Sequence, residues 1–570
     1  MTDFDVVRAL ARAYPWDVDS GDELDRALGF LGSDRSAETV VRAGYGALLP
    51  AVAVLAVVGG LVAPQRPVVV VAAALAGSVG VTHVVHRAPV VLATLERTRA
   101  LGSVTGLVGR VVLRMRIEPT VERSASFAAR TGDDALAESL REHARRTEGT
   151  PETGLDGFAA EWEEWFPTLP RAVSLIESAA DEPAEERDQT LDRTMATVLD
   201  GVGDEMADFA GNVRGPVTAV YAFGVLLPLA LVGVLPAARA AGVRVSLFGF
   251  VAFYDVLLPL ALCWATVWLF ARRPVAFPPP RVERAHSDVP DGDWLPVLAG
   301  LAGGVAGWWV SSAVVAPWAT PVAAVGLGLG CALVVRYRPV KAVRDHVRDV
   351  ESGLDDALYL VGQRVAEGEA VETALDHAGE ELTGATGDLL GETASLQRRL
   401  GVGVSEAFLG DYGSLAALPS PRTKGAAALL SLAATEGRPA GGAIVATADQ
   451  LTKLRQVEAD ARRELASVTD TLGNTAAVFA PLVGGSTVAL AERLVRTGGT
   501  TRLASASIAV PDLGLAIGVY VLLLTAILTV LTTGLTRGLD RALIGYRVGV
   551  ALLLATPTFL AGFLAAGLFL

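Results

Sequence analysis

The sequence predicts an all-α integral membrane protein with about nine transmembrane helices and two duplicated cytoplasmic helical bundles. Three observations lead there. The 570 residues are 51% hydrophobic with a mean hydropathy of +0.44, yet 19% are charged. A soluble domain is less apolar and a pure membrane bundle is less charged, so a mixed chain fits both numbers. The apolar residues gather into runs of about 20, the length that crosses a bilayer core as a helix. A hydrophilic, acidic block followed by such runs occurs twice, over residues 87–215 and 336–470.

In chain order, residues 1–43 form an N-terminal segment that is acidic and turn-rich over 17–25. Residues 44–86 form a transmembrane hairpin, with spans at 45–63 and 68–86. The first soluble block, 87–215, precedes a transmembrane pair in 216–270, with spans at 217–236 and 247–270. A linker, 271–294, leads to a second pair in 295–335, with spans at 295–316 and 318–335. The second soluble block, 336–470, precedes the C-terminal membrane helices of 471–570, at 472–491, 513–533 and 549–570. Gly300 with Gly304, Gly303 with Gly307 and Gly326 with Gly330 lie four apart, the spacing that lets membrane helices approach closely. Gly326-Leu-Gly-Leu-Gly330 lacks the Lys-Ser/Thr of a nucleotide loop, so helix packing is the better reading.

Both soluble blocks read as small bundles of five or six helices. Leu358, Val361 and Val365, then Val371, Leu375, Ala378 and Leu382, recur every three to four residues, with Gly368 breaking the run. Leu136, Leu140 and Ala144 repeat that spacing, with Glu138, Arg141, Glu142 and Arg145 on the other face. The blocks also align with each other. Glu118-Pro-Thr-Val-Glu-Arg-Ser-Ala125 matches Gly368-Glu-Ala-Val-Glu-Thr-Ala-Leu375, and the segment from Leu169-Pro170 to Glu177 matches that from Leu418-Pro419 to Glu436. Long helices, over 188–209 and 441–469, then lead into a span in both copies.

The excess of Arg over Lys near the spans orients the chain. With the N-terminus in the cytoplasm, Arg272, Arg273, Arg281 and Arg284, the group Arg336, Arg338, Lys341 and Arg344, and the group Arg537, Arg541 and Arg547 all fall inside. Arg493, Arg496 and Arg502 are the exception. Both soluble blocks are then cytoplasmic, the C-terminus ends outside, and the chain is multi-pass in the cell membrane. No cleavable leader is visible, because the first apolar run starts near Tyr45.

The net charge of −14 argues against a nucleic-acid partner. Only Lys341, Lys424 and Lys453 are lysines, and the acidic, Arg-rich, Ala- and Val-rich composition points to a salt-adapted archaeal host. Cys263 and Cys331 lie in apolar runs and read as buried small residues. No catalytic, cofactor or metal site is expected. There is no Walker loop and no nucleophile with an acid and His partner, and His83 and His86 lack further ligands in sequence. Asp255 is the membrane residue of interest, a carboxylate inside an apolar span. Such groups cost about 2.5–3.5 kcal/mol on insertion scales. It serves either a structural pairing or an ion relay.

The turn-plus-helix Gly368-Glu-Ala-Val-Glu-Thr-Ala-Leu375, echoed at Gly403-Val-Ser-Glu-Ala-Phe408, carries a resemblance. So do the Leu418-Pro419 start with its Ala434-Thr-Glu-Gly-Arg438 end, and the long amphipathic helix entering the membrane. The chain resembles the F-family platform proteins of type II secretion and type IV pilus systems, in the archaeal branch that serves pili and archaella. The resemblance covers about residues 90–535. It implies a role without catalysis or cofactor. Such a protein sits in the membrane at the base of a filament, faces a hexameric secretion ATPase, and helps lift pilin-like subunits from the lipid. Membrane lipid and a second copy, as a homodimer, complete the expected partners. The corresponding contact candidates are Glu177, Asp181 and Glu182 in the first copy and Glu436, Gly437 and Arg438 in the second. The first copy departs from the pattern, with no Gly where the second has Glu436-Gly437. The alternative function is a polytopic transporter with Asp255 in the translocation path, and a third is a membrane sensor or anchor.

Overall fold

A computed structural model describes every residue except 1–5, 20, 63–66, 133, 148–152, 241–245, 274–288, 291, 293, 437–438, 498–508 and 570. The described residues are overwhelmingly helical, with no strand among them. The chain divides into two units, Met1–Arg99 and Ala100–Leu570.

In the first unit, Ser36 caps the helix Ala37–Gly46 by accepting the Thr39 N–H. Leu24, Leu28, Val40 and Val41 form its core, with Val85 and Val90 packed against them. His86 donates from Nε2 to the Val41 carbonyl at 3.0 Å, and a Cβ on Gly44 would lie 2.3 Å from that nitrogen. His86 is thereby a packing residue that needs glycine opposite it, while His83 is exposed.

The second unit contains two runs of six helices in matching order. The first comprises Val104–Ile117, Val121–Arg130, Ala135–Arg146, Leu155–Trp162, Leu169–Ala180 and Ala184–Tyr221. The second comprises Leu354–Glu367, Val371–Glu381, Ala385–Leu400, Val404–Leu409, Pro421–Glu436 and Pro439–Asn474. Val121 and Val371, aligned from sequence, both open the second helix of their run. Gly368 ends the preceding helix with φ +103, and the N–H of Glu369 reaches back to the Arg364 carbonyl, a left-handed cap that favours glycine. The first copy stops the same helix without glycine, by an extended Glu118 before Pro119. Leu418-Pro419, expected to start a helix, instead lies just ahead of one: the helix begins at Pro421, and Ser420 caps it by accepting the Thr423 N–H at 3.0 Å. Pro421 thus stands first in its helix, where the first copy has Pro170 second in Leu169–Ala180.

Seven helices among the described residues are long and apolar enough to cross a membrane, against the nine expected. They are Ala184–Leu235, Leu247–Phe270, Trp294–Val314, Pro317–Glu367, Gly441–Arg496, Val510–Arg537 and Arg541–Leu568. The expected spans at 45–63 and 68–86 are not among them. The first is described as the helix Leu48–Val62, which runs up to residues 63–66 outside the described ones. The second is the start of a longer helix, Pro67–Leu101, several of whose side chains lie outside the described residues. The sequence boundaries at 215, 335 and 470 all fall inside continuous helices, so soluble block and span share one rod.

Close approach builds the membrane layer. A Cβ on Gly307 would lie 2.6 Å from the Ala323 carbonyl oxygen, and one on Gly330 would lie 3.1 Å from that of Gly549. The helix Val510–Arg537 is the most buried of the seven, while Trp294–Val314 leaves Val305 and Trp309 exposed, as a lipid-facing helix does.

Three spans contain a π-helical turn: Ala222–Leu226, Ala252–Leu257 and Thr475–Phe479. Each lies just before a proline, Pro228, Pro259 or Pro481. In an α-helix the proline ring clashes with the carbonyl four residues back. Widening the turn relieves that clash, and the N–H after each turn bonds five residues back, Leu227 to Ala222, Leu258 to Phe253 and Ala480 to Thr475. The next carbonyl would look to the proline, which has no N–H. At Ala476 the Thr525 hydroxyl supplies the missing donor at 2.8 Å.

Candidate functional site

The two long helices dominate the unit. Ala184–Leu235 is one rod of 52 residues and Gly441–Arg496 one of 56, each about 80 Å long at 1.5 Å per residue. Each begins in its polar bundle and ends in an apolar segment of membrane length. The rods pack on each other, with Gly203 beside the Val457 side chain.

They are held differently. The first buries Leu191, Met195, Val198, Val202 and Met206, and its charged contact with the bundle is the Arg116–Asp192 pair, whose carboxylate is 63% exposed. The second is clamped by buried charge. Glu458, 4% exposed, pairs with Arg422 and, at 3.1 Å, with Arg462. Ser420 donates to Glu351 at 2.6 Å, and Arg422 lies 3.8 Å from that same carboxylate. Asp355, 7% exposed, pairs with Arg455 and accepts the Thr452 hydroxyl at 2.9 Å. Burial alone would lower the Arg422 pKa, but attraction by Glu458 and then Glu351 overcomes it and holds the guanidinium above its ordinary value. This network ties the rod to Pro317–Glu367 and Pro421–Glu436.

Sequence reasoning missed this clamp, although a signal was present. Leu454, Glu458, Ala461 and Leu465 share one buried stripe at helical spacing, and a carboxylate in such a stripe needs a partner.

The contact candidates occupy equivalent corners, where the fifth helix of each run gives way to the rod. Glu177 accepts the Thr153 hydroxyl at 2.7 Å. Asp181 is exposed and ends the helix Leu169–Ala180, and Glu182 has one carboxylate oxygen buried without a hydrogen bond. In the second copy Glu436 is the last residue of its helix, while its side chain, Gly437 and Arg438 lie outside the described residues, as do Arg281, Arg284 and Arg502. The corners are matched in position, and no hydrogen bond or ion pair joins them among the described residues.

Asp255 sits in the π-helical turn Ala252–Leu257, half-buried, with Oδ1 buried and unpartnered among the described residues. Its neighbour Tyr254 donates to the Pro228 carbonyl at 3.1 Å and meets the Tyr520 ring edge-on at 5.2 Å. The buried Tyr520 hydroxyl likewise has no hydrogen bond and lies within electrostatic range of Asp255. No group of three His, Cys, Asp or Glu able to hold a metal occurs among the described residues. Comparison with protein-family models, curated proteins and solved structures gave no match.

Proposed function

We propose that this protein is a membrane platform of an archaeal type IV pilus-like assembly or secretion machine in a salt-adapted host. Two cytoplasmic bundles engage a hexameric secretion ATPase, and the spans meet pilin-like subunits, with the platform working as a homodimer. The observation that carries this reading is the pair of rods, each running from a polar bundle into the membrane and packed on the other. A solute carrier needs a path through its spans; a machine that converts cytoplasmic motion into motion in the lipid needs stiff connections of this kind. With both bundles on the cytoplasmic side, the seven described spans return the chain to that side before the second bundle and leave the C-terminus outside. Positive residues at the span ends support that orientation.

The test is purification of the tagged full chain from detergent-solubilised membranes in high salt, with mass spectrometry of what accompanies it. Recovery of a hexameric ATPase, weakened by Glu436→Ala or Arg438→Ala, supports the platform. A second reading rests on Asp255 and its unpartnered oxygen. Under it the chain is a transporter, no ATPase is recovered, and Asp255→Asn abolishes solute flux in vesicles.

A further inference from the structure

Six arginines converge where membrane helices of the Ala100–Leu570 unit reach one face. Arg273 follows the span Leu247–Phe270, Arg537 closes Val510–Arg537, and Arg547 lies in the second turn of Arg541–Leu568. Arg344 and Arg348 lie on the polar extension of Pro317–Glu367, and Arg462 lies on the second rod ahead of its apolar segment. Direct contacts bring them together around the corner that joins the last two spans. The Arg273 guanidinium donates to the Gly534 carbonyl at 2.9 Å. Arg344 pairs with Asp540, which also accepts the Ala542 N–H at 2.9 Å and so starts the last helix. The Lys341 ammonium lies 5.5 Å from the centre of the Tyr546 ring.

The nearby acids are already engaged. Asp540 is held by Arg344, Asp345 by Lys341, and Glu458 by Arg422 and Arg462. Arg537 and Arg547 repel each other, both feel Arg348, and Arg537 also feels Arg462, with Asp345 offsetting part of that repulsion. Neither makes an ion pair with a described residue, and both are half-buried, where like charges are poorly screened. Burial and the charge of Arg462 push Arg273, just beyond its span, down to about 10. Such a cluster is stable when an anion sits in it.

We propose that this corner binds the phosphate of an anionic phospholipid. The neighbouring surface argues for a lipid and against a free anion. Leu260 and Trp264, 63% and 65% exposed, lie one turn apart on the span Leu247–Phe270. Trp268 continues the stripe, and the Arg272 guanidinium stacks on its ring at 3.8 Å, next to Arg273. An acyl chain lying along that stripe delivers its headgroup to the arginines.

The full-length protein, purified in detergent and equilibrated with equimolar phosphatidylglycerol and phosphatidylcholine, is examined by native mass spectrometry. The wild type retains phosphatidylglycerol in preference. Arg537→Gln with Arg547→Gln lowers that preference roughly tenfold or more, from the usual contribution of a cation beside an anionic headgroup. Arg463→Gln, an exposed arginine outside the cluster, leaves it unchanged. Should the double variant fail to fold, the more exposed pair Arg348→Gln with Arg462→Gln is judged by the same criterion. A preference that survives the substitutions, or its absence in the wild type, overturns the proposal. Displacement of the lipid by millimolar inorganic phosphate also overturns it, in favour of a soluble-anion site.

Discussion

Replacing Glu458 by glutamine removes the charge at the centre of the clamp while keeping its shape. Breaking one side of a buried ion pair costs about 3–5 kcal/mol. The partners here can partly recover, because Arg422 and Arg462 are 34% and 51% exposed and Arg422 keeps Glu351 at 3.8 Å. That reduces the expected loss to about 2 kcal/mol. In a cooperative unit of this size such a loss lowers Tm by about 2 °C. The assay is scanning fluorimetry of the full chain in detergent at molar salt, where exposed pairs are screened and a buried one is not. Asp460→Asn is the control, since its pair with Arg463 is 67% and 76% exposed and is expected to leave Tm unchanged. Arg422→Met should cost less in the Glu458→Gln background than alone, because the two act through one contact. If Glu458→Gln shifts Tm no more than Asp460→Asn, the clamp does not hold the rod and the mechanical argument built on it fails.

Further outcomes follow from the membrane layer. Thr525→Val should cost about 1 kcal/mol by orphaning the Ala476 carbonyl, and close to nothing in a Pro481→Ala background, where residue 481 regains an N–H; chemical denaturation of the two single variants and the double variant measures the difference. Gly307→Leu should prevent the hairpin of Trp294–Val314 and Pro317–Glu367 from closing, read as loss of monodisperse protein after purification, because its Cβ alone would meet the Ala323 carbonyl at 2.6 Å. Gly233→Ala, whose Cβ meets nothing within 4 Å, should leave yield and Tm at or above wild type.

Helix and span were legible in the sequence because their signals are local. Apolar runs of membrane length located seven spans, the three-to-four spacing located the bundles, and the alignment of Val121 with Val371 fell on equivalent helix starts. The first hairpin is the part where expectation and structure meet least, because its expected spans run up to residues 63–66, which lie outside the described residues. The clamp was half-legible. Glu458 in an apolar stripe declares that a partner exists, but Arg422 lies 36 residues away and only the fold selects it.

The π turns were written in the sequence and still missed. Val225 to Leu231 and Val256 to Leu262 are the same seven residues, Val-Leu-Leu-Pro-Leu-Ala-Leu. Ala-Phe-Gly precedes the first and Ala-Phe-Tyr-Asp the second, and the wide turn is correspondingly five residues in one and six in the other. The extra position is filled by Tyr254 and Asp255 in place of Gly224. A widened turn changes which face the following residues present, so the insertion, and not hydropathy, turns the Tyr254 ring toward Tyr520 and lets its hydroxyl reach the Pro228 carbonyl of the sister span. Asp255 is therefore best understood as part of that helix–helix junction. Its Oδ1 and the Tyr520 hydroxyl are both buried without a hydrogen bond among the described residues, and a junction with unspent polar capacity in a membrane is where two packings of the spans can differ little in energy. In the platform reading, a rod that moves from the cytoplasmic side needs such a place in its neighbours. In the platform reading, Asp255→Leu should rigidify the junction and raise Tm while impairing filament assembly; in the transporter reading it removes the ion site and abolishes flux with the partners irrelevant.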